Sequence, residues 1–405
     1  MGTLVEISDW KYESLSDFCG GDEFIIDGPF GSNLKNEHYV NSGVPVLTGG
    51  NISRNTWHFK NIRFISHKKA EELSRCNVVV GDLLSVKIGS VGFTALVTDL
   101  GGFPLAIIPA NLLRLRVNNS KSDPDFLKHV LQFENTKKQL LELATSTAQP
   151  ALNLRKFRAL KIAVPTLGEQ KVIAKSLSDV DKLIATIKEE LHKKKNFKIA
   201  MTQELLSQAK GLNAKLGNYA EFSKGNNLPK SSLSETGTYK AIHYGELFTH
   251  YPEKIKQIKS STNQTNLPLV FSRTNDVLMP TSDVTPNGLA TASCIVEEGV
   301  VLGGDILIIR ADDSLIDGTY LSYLIRNSKD KVLKLVNGTT VYHIYGKDLS
   351  NFEFILPSIS YQKESVRALE IFSEEISLLE TELAKYECIK QGMAHDLLTG
   401  KVRLV

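Results

Sequence analysis

The chain contains 405 residues, of which 42% are hydrophobic and 23% are charged, a balance typical of a globular protein with two or three domains. Its formal net charge of +3 excludes a chain that is basic throughout, so any attraction to nucleic-acid phosphates must come from local patches or from a more basic partner. No apolar run approaches the ~20 residues that a membrane helix needs, so we expect no membrane partner.

The cysteines and the N-terminus both favour a cytoplasmic location. The four cysteines are far apart and form no Cys-x-x-Cys pair, which is unlike a disulfide scaffold or a zinc cluster. The first residues, MGTLVEISDWKYESL, lack the basic and apolar regions of a signal peptide. We therefore expect a reducing compartment and no bound metal.

Residues 27–35, DGPFGSNLK, form the first stretch that allows more than one chemistry. An amino-methyltransferase carries Asp or Asn, two prolines and an aromatic residue in a catalytic loop. Asp27-Gly28-Pro29-Phe30 matches three of these four positions, with glycine in place of the first proline. A surface turn is the other interpretation, because glycine and proline are typical turn residues.

Strand-like runs alternate with short helices both before and after the middle of the chain. FPLAIIPANLLRLRV, which begins at Phe103, is typical of strands, and FLKHVLQ (126–132) of a helix. The same order returns in GVVLGGDILIIRA, from Gly299, and in YLSYLIR (320–326). The pattern predicts two α+β domains of roughly 150 residues each.

An internal repeat at an offset of 192 residues ends in a long helix in each copy. Pro165 corresponds to Pro357 and Gln170 to Gln362. Apolar residues then recur at alternating spacings of four and three, which predicts a heptad seam that a partner helix must cover. The predicted seam consists of Ile173, Leu177, Val180, Ile184, Ile187, Leu191, Met201, Leu205, Leu369, Phe372, Ile376, Leu379, Leu383, Tyr386, Met393 and Leu397.

The charges of the two helices favour their pairing with each other. Residues 168–206 carry eight lysines and six acids, a net charge of +2. Residues 360–398 carry four basic and eight acidic side chains, a net charge of −4. Opposite charges on paired helices set partner and orientation, so we expect an antiparallel coiled coil about a pseudo-two-fold axis.

The predicted architecture is therefore α+β, with two similar globular domains joined by two long helices that pair as an antiparallel coiled coil. The expected boundaries are 1–164 for the first domain and 165–208 for the central helix. Residues 209–356 form the second domain and 357–405 the C-terminal helix and tail.

This layout resembles the specificity subunit of a type I restriction–modification system over essentially the whole chain. The resemblance rests on DGPFGSNLK followed by GVPVLTGGNI, on GDLL with KIGSVG, on TAQPALN leading into the first long helix, and on EQKVIAKSLSDVDKLI within that helix. Single motifs are loose, but their order together with the duplication is specific.

The resemblance implies a non-catalytic, sequence-specific DNA-binding subunit. Each globular half would be a target recognition domain that reads one half of a bipartite double-stranded DNA target, and the helix pair would set the unread gap. Two methyltransferase subunits would dock on the helices, bind S-adenosylmethionine and methylate adenine, so this chain would hold no cofactor. Separate motor–nuclease restriction subunits cut DNA in such systems.

Sequence must be read from base edges by polar side chains, with further polar contacts to phosphates. Polar loop residues are the candidates for DNA contact: Ser32, Asn33, Lys35, Thr48, Asn51, Arg54, Lys87, Ser90, Thr145, Ser146, Thr147 and Gln149 in the first domain, and Lys224, Asn226, Asn227, His243, Tyr244, Thr281, Ser282, Thr339, Thr340, Tyr342 and His343 in the second.

Two alternatives stay open at this point. The chain could be a coiled-coil scaffold that binds only protein, or a methyltransferase that uses Asp27-Gly28-Pro29-Phe30. The second alternative also needs a glycine-rich cofactor turn after a first strand, and the sequence has none in the right place.

Overall fold

The computed structural model describes residues 10–29, 31–53, 55–145, 149–264 and 268–404. The chain forms two compact units. Unit 1 comprises Met1–Lys188 with Thr381–Val405, and unit 2 comprises Glu189–Glu380. Both divisions fall inside long helices, so the four-segment domain division stays a prediction.

Unit 1 is built mainly of short strands. They are β1 (Lys11–Ser14), β2 (Ile25–Asp27), β3 (Tyr39–Val40), β4 (Val44–Val46), β5 (Ile52–Ser53), β6 (Thr56–Trp57), β7 (Arg63–Ile65), β8 (Asn77–Val78), β9 (Leu83–Val86), β10 (Thr94–Leu96), β11 (Ala106–Ile107), β12 (Leu112–Leu115) and β13 (Lys161–Val164). The helices are α1 (Leu15–Cys19), α2 (His67–Glu72), α3 (Pro124–Gln132), α4 (Glu134–Leu143), α5 (Leu154–Arg158) and α6 (Leu167–Ser207), which continues into unit 2.

Two sheets organise unit 1, with strand orders β10-β9-β12-β2 and β3-β7-β4-β11-β8. Strand β12 is buried along its whole length, as its apolar run predicts. The amphipathic helix α3 begins with an Asp123 cap and Pro124 in its first turn, and it buries Phe126 and Leu127 in the core. Strand β1 pairs with β13, the strand that leads into α6.

Unit 2 repeats this plan. Its strands are β14 (Gly211–Lys215), β15 (Ala220–Lys224), β16 (Leu233–Ser234), β17 (Tyr239–Ile242), β18 (Lys254–Ile255), β19 (Ser260–Thr262), β20 (Val277–Pro280), β21 (Ser282–Asp283), β22 (Ser293–Ile295), β23 (Val301–Leu302), β24 (Ile306–Ala311), β25 (Tyr342–His343) and β26 (Glu353–Pro357). Its helices are α7 (Tyr244–Thr249), α8 (Gly318–Asn327), α9 (Lys329–Leu333), α10 (Gly346–Leu349) and α11 (Ile359–Leu398), which ends in unit 1. The main sheets have orders β15-β24-β20-β22-β18 and β16-β19-β17-β23.

Equivalent ion pairs hold the central strands of both units. Asp82 is buried and accepts two hydrogen bonds of 2.7 Å from Arg116. In unit 2, Asp276 is buried and accepts bonds of 2.8 and 2.7 Å from Arg310. These pairs join GDLL (81–84) to NLLRLR (111–116) in unit 1 and NDVL (275–278) to DILIIR (305–310) in unit 2, so the same two segments are joined in each unit.

Within each unit the long helices run antiparallel. In unit 1 the beginning of α6 packs with the end of α11, and Lys390 pairs with Asp181. In unit 2 the end of α6 lies against the beginning of α11, where the rings of Phe197 and Phe372 are 5.1 Å apart. The mixed α+β class with two long helices is confirmed.

The seam residues all lie at least half-buried along the helices. The fully buried ones are Ile173, Leu177, Ile184, Ile187, Leu369 and Leu397. Lys194, which interrupts the apolar pattern, pairs with Glu375 at 2.7 Å and lies 5.9 Å from the Phe372 ring centre. Lys195 pairs with Glu380, also at 2.7 Å, so the interhelical ion pairs have the signs that the sequence predicts.

A buried glutamine ties each long helix to the α/β body of its unit. The Gln170 side-chain oxygen accepts from the Asp123 N–H at 2.9 Å, and its amide donates to the Pro165 carbonyl. The Gln362 oxygen accepts from the Asp317 N–H at 2.9 Å, and its amide donates to the carbonyls of Leu315 and Pro357. Since Asp123 and Asp317 cap α3 and α8, each glutamine anchors a helix of the body.

Candidate nucleic-acid interface

Two loops meet at one end of the main sheet in unit 1. Residues 87–90 follow β9, and residues 149–152 precede α5. Ile88 forms an antiparallel bridge with Ala151, and the Leu152 N–H donates to the Lys87 carbonyl at 2.9 Å. The predicted residues Lys87, Ser90 and Gln149 thereby come from loops that hold each other in place.

The same loops meet in unit 2 with the same hydrogen bonds. Strand β21 pairs with β25, so that Ser282 lies opposite His343. Asn337 donates its N–H to the His343 carbonyl at 2.9 Å, as Thr145 donates to Ala151 at 3.0 Å in unit 1. The backbone frame is therefore duplicated, whereas the side chains that it carries differ.

Asp27 and Lys87 form an ion pair of 2.8 Å beside this frame in unit 1. Burial works to raise the pKa of the Asp27 carboxyl, but the hydrogen bond and charge of Lys87 outweigh it, and the pKa lies below its usual range. Arg75 adds a second cation at 3.5 Å. Asp27 therefore stays ionised and engaged by cations.

Gly28 has a packing role in the DGPFG segment, of which Phe30 lies outside the described residues. A Cβ at this position would overlap the carbonyl oxygen of Pro109, so only glycine allows the approach of the two backbones. Gly225 in unit 2 has the same relation to the Gly303 carbonyl. The glycine that both halves share thus has a packing role.

A groove of about 480 Å³ in unit 2 brings five predicted residues together. They are Lys224, Asn226, Asn227, His243 and Tyr244. Lys224 pairs with Asp305 at 3.1 Å, and the Asp305 carbonyl accepts from the Thr281 N–H at 2.9 Å, which connects the groove to the paired loops. Amide, imidazole, phenol and ammonium groups therefore line one concave surface that could accept base edges and phosphates.

His243 begins α7 and is held by its own turn. Its Nδ1 accepts from the Gly245 N–H at 3.2 Å, and its N–H donates to the Glu246 carboxylate at 2.7 Å. Burial lowers the pKa of His243, which favours the neutral imidazole. In unit 1, Thr48 donates its N–H to the Asn51 side chain at 2.7 Å in the equivalent turn.

The predicted DNA-contact residues differ in exposure. The exposed ones are Ser32, Asn33, Lys35, Ser90, Thr145, Gln149, Lys224, Asn227, Thr339 and Thr340. The half-buried ones are Thr48, Lys87, Asn226, His243, Tyr244, Ser282, Tyr342 and His343. Arg54, Ser146 and Thr147 lie outside the described residues.

Asn51 and Thr281 are buried, which contradicts the expectation that their side chains contact DNA. Asn51 is 1% exposed. Its amide donates to the carbonyls of His58 and Lys60, both at 2.8 Å. Thr281 is 5% exposed. Both residues hold loops together.

Tyr345 was missed by the sequence reasoning. Its ring is stacked on His343 with the centres 6.0 Å apart and an interplanar angle of 10°, and it is exposed beside the paired loops. An aromatic residue two positions after a polar loop residue, in YHIY, was the available signal. Stacked exposed rings offer a platform for a sugar or a base.

Neither a metal-ligand cluster nor a membrane-spanning helix occurs in the described part of the chain. There, no group of three or more His, Cys, Asp or Glu side chains is arranged to hold a metal ion. No described helix combines the length and apolar character required to cross a membrane.

Comparison with known proteins gives a consistent result. A family model described as "Type I restriction modification DNA specificity domain" matches residues 7–193 and 213–387. The putative type I restriction enzyme MjaX specificity subunit of Methanocaldococcus jannaschii is 26% identical, over 98% of this chain and 94% of the relative.

Two solved structures share the fold. The S subunit of a type I restriction–modification system from M. genitalium has a TM-score of 0.63 at 12% identity, over 98% of both chains. A chain from a study of complex assembly and conformational transition in a type I system has a TM-score of 0.58 at 16% identity, over 97% of this chain and 98% of that one.

Proposed function

This chain belongs to the type I restriction–modification DNA specificity family, and from that premise we propose that it reads a bipartite DNA target. Each α/β body serves as a target recognition domain for one half-site. The observation that carries the proposal is the loop frame that occurs once in each unit. Ile88 pairs with Ala151 in one copy, and Ser282 pairs with His343 in the other.

A duplicated frame with different side chains suits the reading of two different sequences. Backbone hydrogen bonds fix the loops, while the side chains remain free to differ. In unit 1 the frame presents Lys87, Ser90 and Gln149, and in unit 2 it presents Ser282, His343 and Tyr345. Proteins distinguish base pairs by the hydrogen-bond donors and acceptors on the base edges. The different side chains of the two units would therefore prefer different base pairs.

The helix pair is proposed to set the unread gap between the half-sites. Helix α6 has 41 residues and α11 has 40, so each is about 60 Å long. That length corresponds to somewhat under two turns of B-DNA.

The helices are also proposed to dock two methyltransferase subunits. Apolar side chains on the outside of both helices support this role. Ile371 is 52% and Leu378 70% exposed in unit 2, and Val172 and Leu183 are exposed in unit 1. In this proposal the methyltransferase subunits bind S-adenosylmethionine, this chain binds no cofactor, and restriction subunits are a further partner. All of this would take place in the cytoplasm.

Insertion of one heptad into both helices tests the proposal. We expect the methylated target to keep both half-site sequences and to change only in the length of the unread gap, measured by genome-wide mapping of methylated adenine. A matched control inserts the same seven residues after Thr399, beyond the end of α11. Altered half-sites with an unchanged gap would contradict the role of the helices.

The scaffold alternative predicts no DNA binding by the chain with its methyltransferase, and a mobility-shift assay distinguishes it. The methyltransferase alternative predicts that the purified chain binds S-adenosylmethionine by itself. The engagement of Asp27 by Lys87 and Arg75 favours a structural role for that loop.

A further inference from the structure

The main sheets of the two units differ at one edge. In unit 2, β22 pairs with β20 on one side and with β18 on the other. In unit 1 the corresponding strand, β10, pairs with β9 alone among the described residues. An edge strand presents unpaired backbone groups to any extended chain that reaches it.

Leu96 marks the open position of this edge. Leu96 of β10 lies opposite Leu83, and Cys294 of β22 lies opposite Val277. Leu83 and Val277 hold the same position in GDLL and NDVL, so Leu96 and Cys294 are equivalent positions of the two sheets. The Cys294 N–H donates to the Glu253 carbonyl at 2.8 Å, next to β18. Both outward backbone groups of Thr94 are satisfied inside unit 1, because its N–H donates to the Asn55 side chain and its carbonyl accepts from the Gln132 amide at 2.8 Å. Backbone direction alternates along a strand, so the N–H of Leu96 also points away from β9. Among the described residues it has no hydrogen-bond partner, which leaves Leu96 as the open position of the edge.

The open edge faces a groove of about 1240 Å³ in unit 1. Its walls come from residues 55–57, α3, α4, and the portions of α6 and α11 that belong to unit 1. In unit 2, β18 and its neighbours pack against the beginning of α11. The segment that would take the place of β18 in unit 1 instead folds as the β5–β6 hairpin.

The charges of the groove differ from those around β18. In unit 2, Lys254 pairs with Glu370 at 2.8 Å and Lys256 pairs with Glu374 at 2.9 Å. At the offset of 192 residues, Ser178 and Lys182 replace these two acids in unit 1. An occupant of this groove would therefore meet a serine and a lysine where β18 meets two glutamates.

Lys137 adds a cation to the wall of the groove. It is half-buried, and among the described residues no carboxylate lies within ion-pair distance of it, since Glu134 pairs with Lys138 instead. Burial and the charge of Lys390 lower the pKa of Lys137, which an incoming carboxylate would reverse. Burying a cation without a partner is unfavourable, so the site favours an acidic ligand.

We propose that the groove beside β10 binds an extended acidic segment of the methyltransferase subunit, which adds to the free edge as a further strand. This inference rests on the proposed function, because it assigns the occupant to that partner. Main-chain hydrogen bonds to Leu96 supply affinity, and Lys137 and Lys182 select carboxylates. The segment occupies in unit 1 the place that β18 occupies in unit 2.

Affinity measurements with the purified cognate methyltransferase subunit test this proposal. Leu96→Pro removes the outward N–H, a change that edge strands tolerate, and Lys137→Glu reverses the charge. Each variant should bind the methyltransferase about tenfold more weakly, the loss expected for a hydrogen bond or ion pair in a partly buried site. Gln139→Glu, at an exposed position of the same helix, is the matched control and should bind as the wild type does.

A photo-crosslinking amino acid in place of Thr98, which is exposed in the groove, identifies the occupant. Crosslinks should map by mass spectrometry to an acidic, extended stretch of the methyltransferase. Crosslinks to a second copy of this chain or to DNA, or affinities for Leu96→Pro and Lys137→Glu equal to that of Gln139→Glu, would overturn the proposal. If the wild-type chain binds no methyltransferase, the proposed function fails and this inference fails with it.

Discussion

Replacement of the two buried glutamines by leucine should destabilise the two units by different amounts. Gln170 is 1% exposed and makes two hydrogen bonds, with Asp123 and Pro165. Gln362 is 0% exposed and makes three, with Asp317, Leu315 and Pro357. Leucine has nearly the same shape but leaves these backbone groups without their partners.

Each such bond contributes about 1 kcal/mol net. Gln170→Leu should therefore lower the local free energy of unfolding in unit 1 by about 2 kcal/mol, and Gln362→Leu that of unit 2 by about 3 kcal/mol. Gln203→Leu, at an exposed position of α6, serves as the control and should have little effect.

Hydrogen exchange of the backbone amides in α3 and α8 measures these losses separately, which matters because a chain with two units need not unfold in one step. Protection of α3 should fall in Gln170→Leu, and protection of α8 should fall further in Gln362→Leu. The reasoning would be refuted if either variant lowered amide protection equally in α3 and α8, or if Gln170→Leu caused the larger loss. Either result would mean that these hydrogen bonds do not anchor α3 and α8 separately.

Two further predictions concern unit 1. Burial, reinforced by the charges of Lys128 and Lys390, lowers the pKa of His129 from 6.5 to about 3. As the pH falls, His129 therefore binds a proton in the unfolded chain before it does so in the folded chain. The free energy of unfolding, measured in urea, should fall by about 2 kcal/mol from pH 7 to pH 5. The variant His129→Gln should not show this loss. Gly28→Ala should cost about 1–3 kcal/mol in the same assay, because its Cβ would overlap the Pro109 carbonyl oxygen. A Cβ added at Gly31 would meet no described heavy atom within 4 Å beyond its own chain neighbours, so Gly31→Ala should be neutral. Equal effects of the two alanines would contradict the packing role of Gly28.

The duplication, the two long helices and the buried strands could be predicted from the order of residues, because these features follow from local periodicity. Apolar residues at spacings of three and four predict a helical seam, and apolar runs such as NLLRLR predict a central strand. The correspondence of Gln170 with Gln362 was visible as a repeat, although its hydrogen bonds were not.

In contrast, the identity of the loops that meet and of the polar side chains that remain accessible depends on the three-dimensional fold. The turn that contains Asn51 and the loop that contains Ser90 look equally polar in the sequence, yet Asn51 is buried by two carbonyl contacts. The open edge at β10 likewise follows from where residues 55–60 fold relative to the sheet. Such outcomes depend on contacts between segments far apart in the chain, and a local pattern of residue types does not encode which distant backbone group will satisfy a given donor or acceptor.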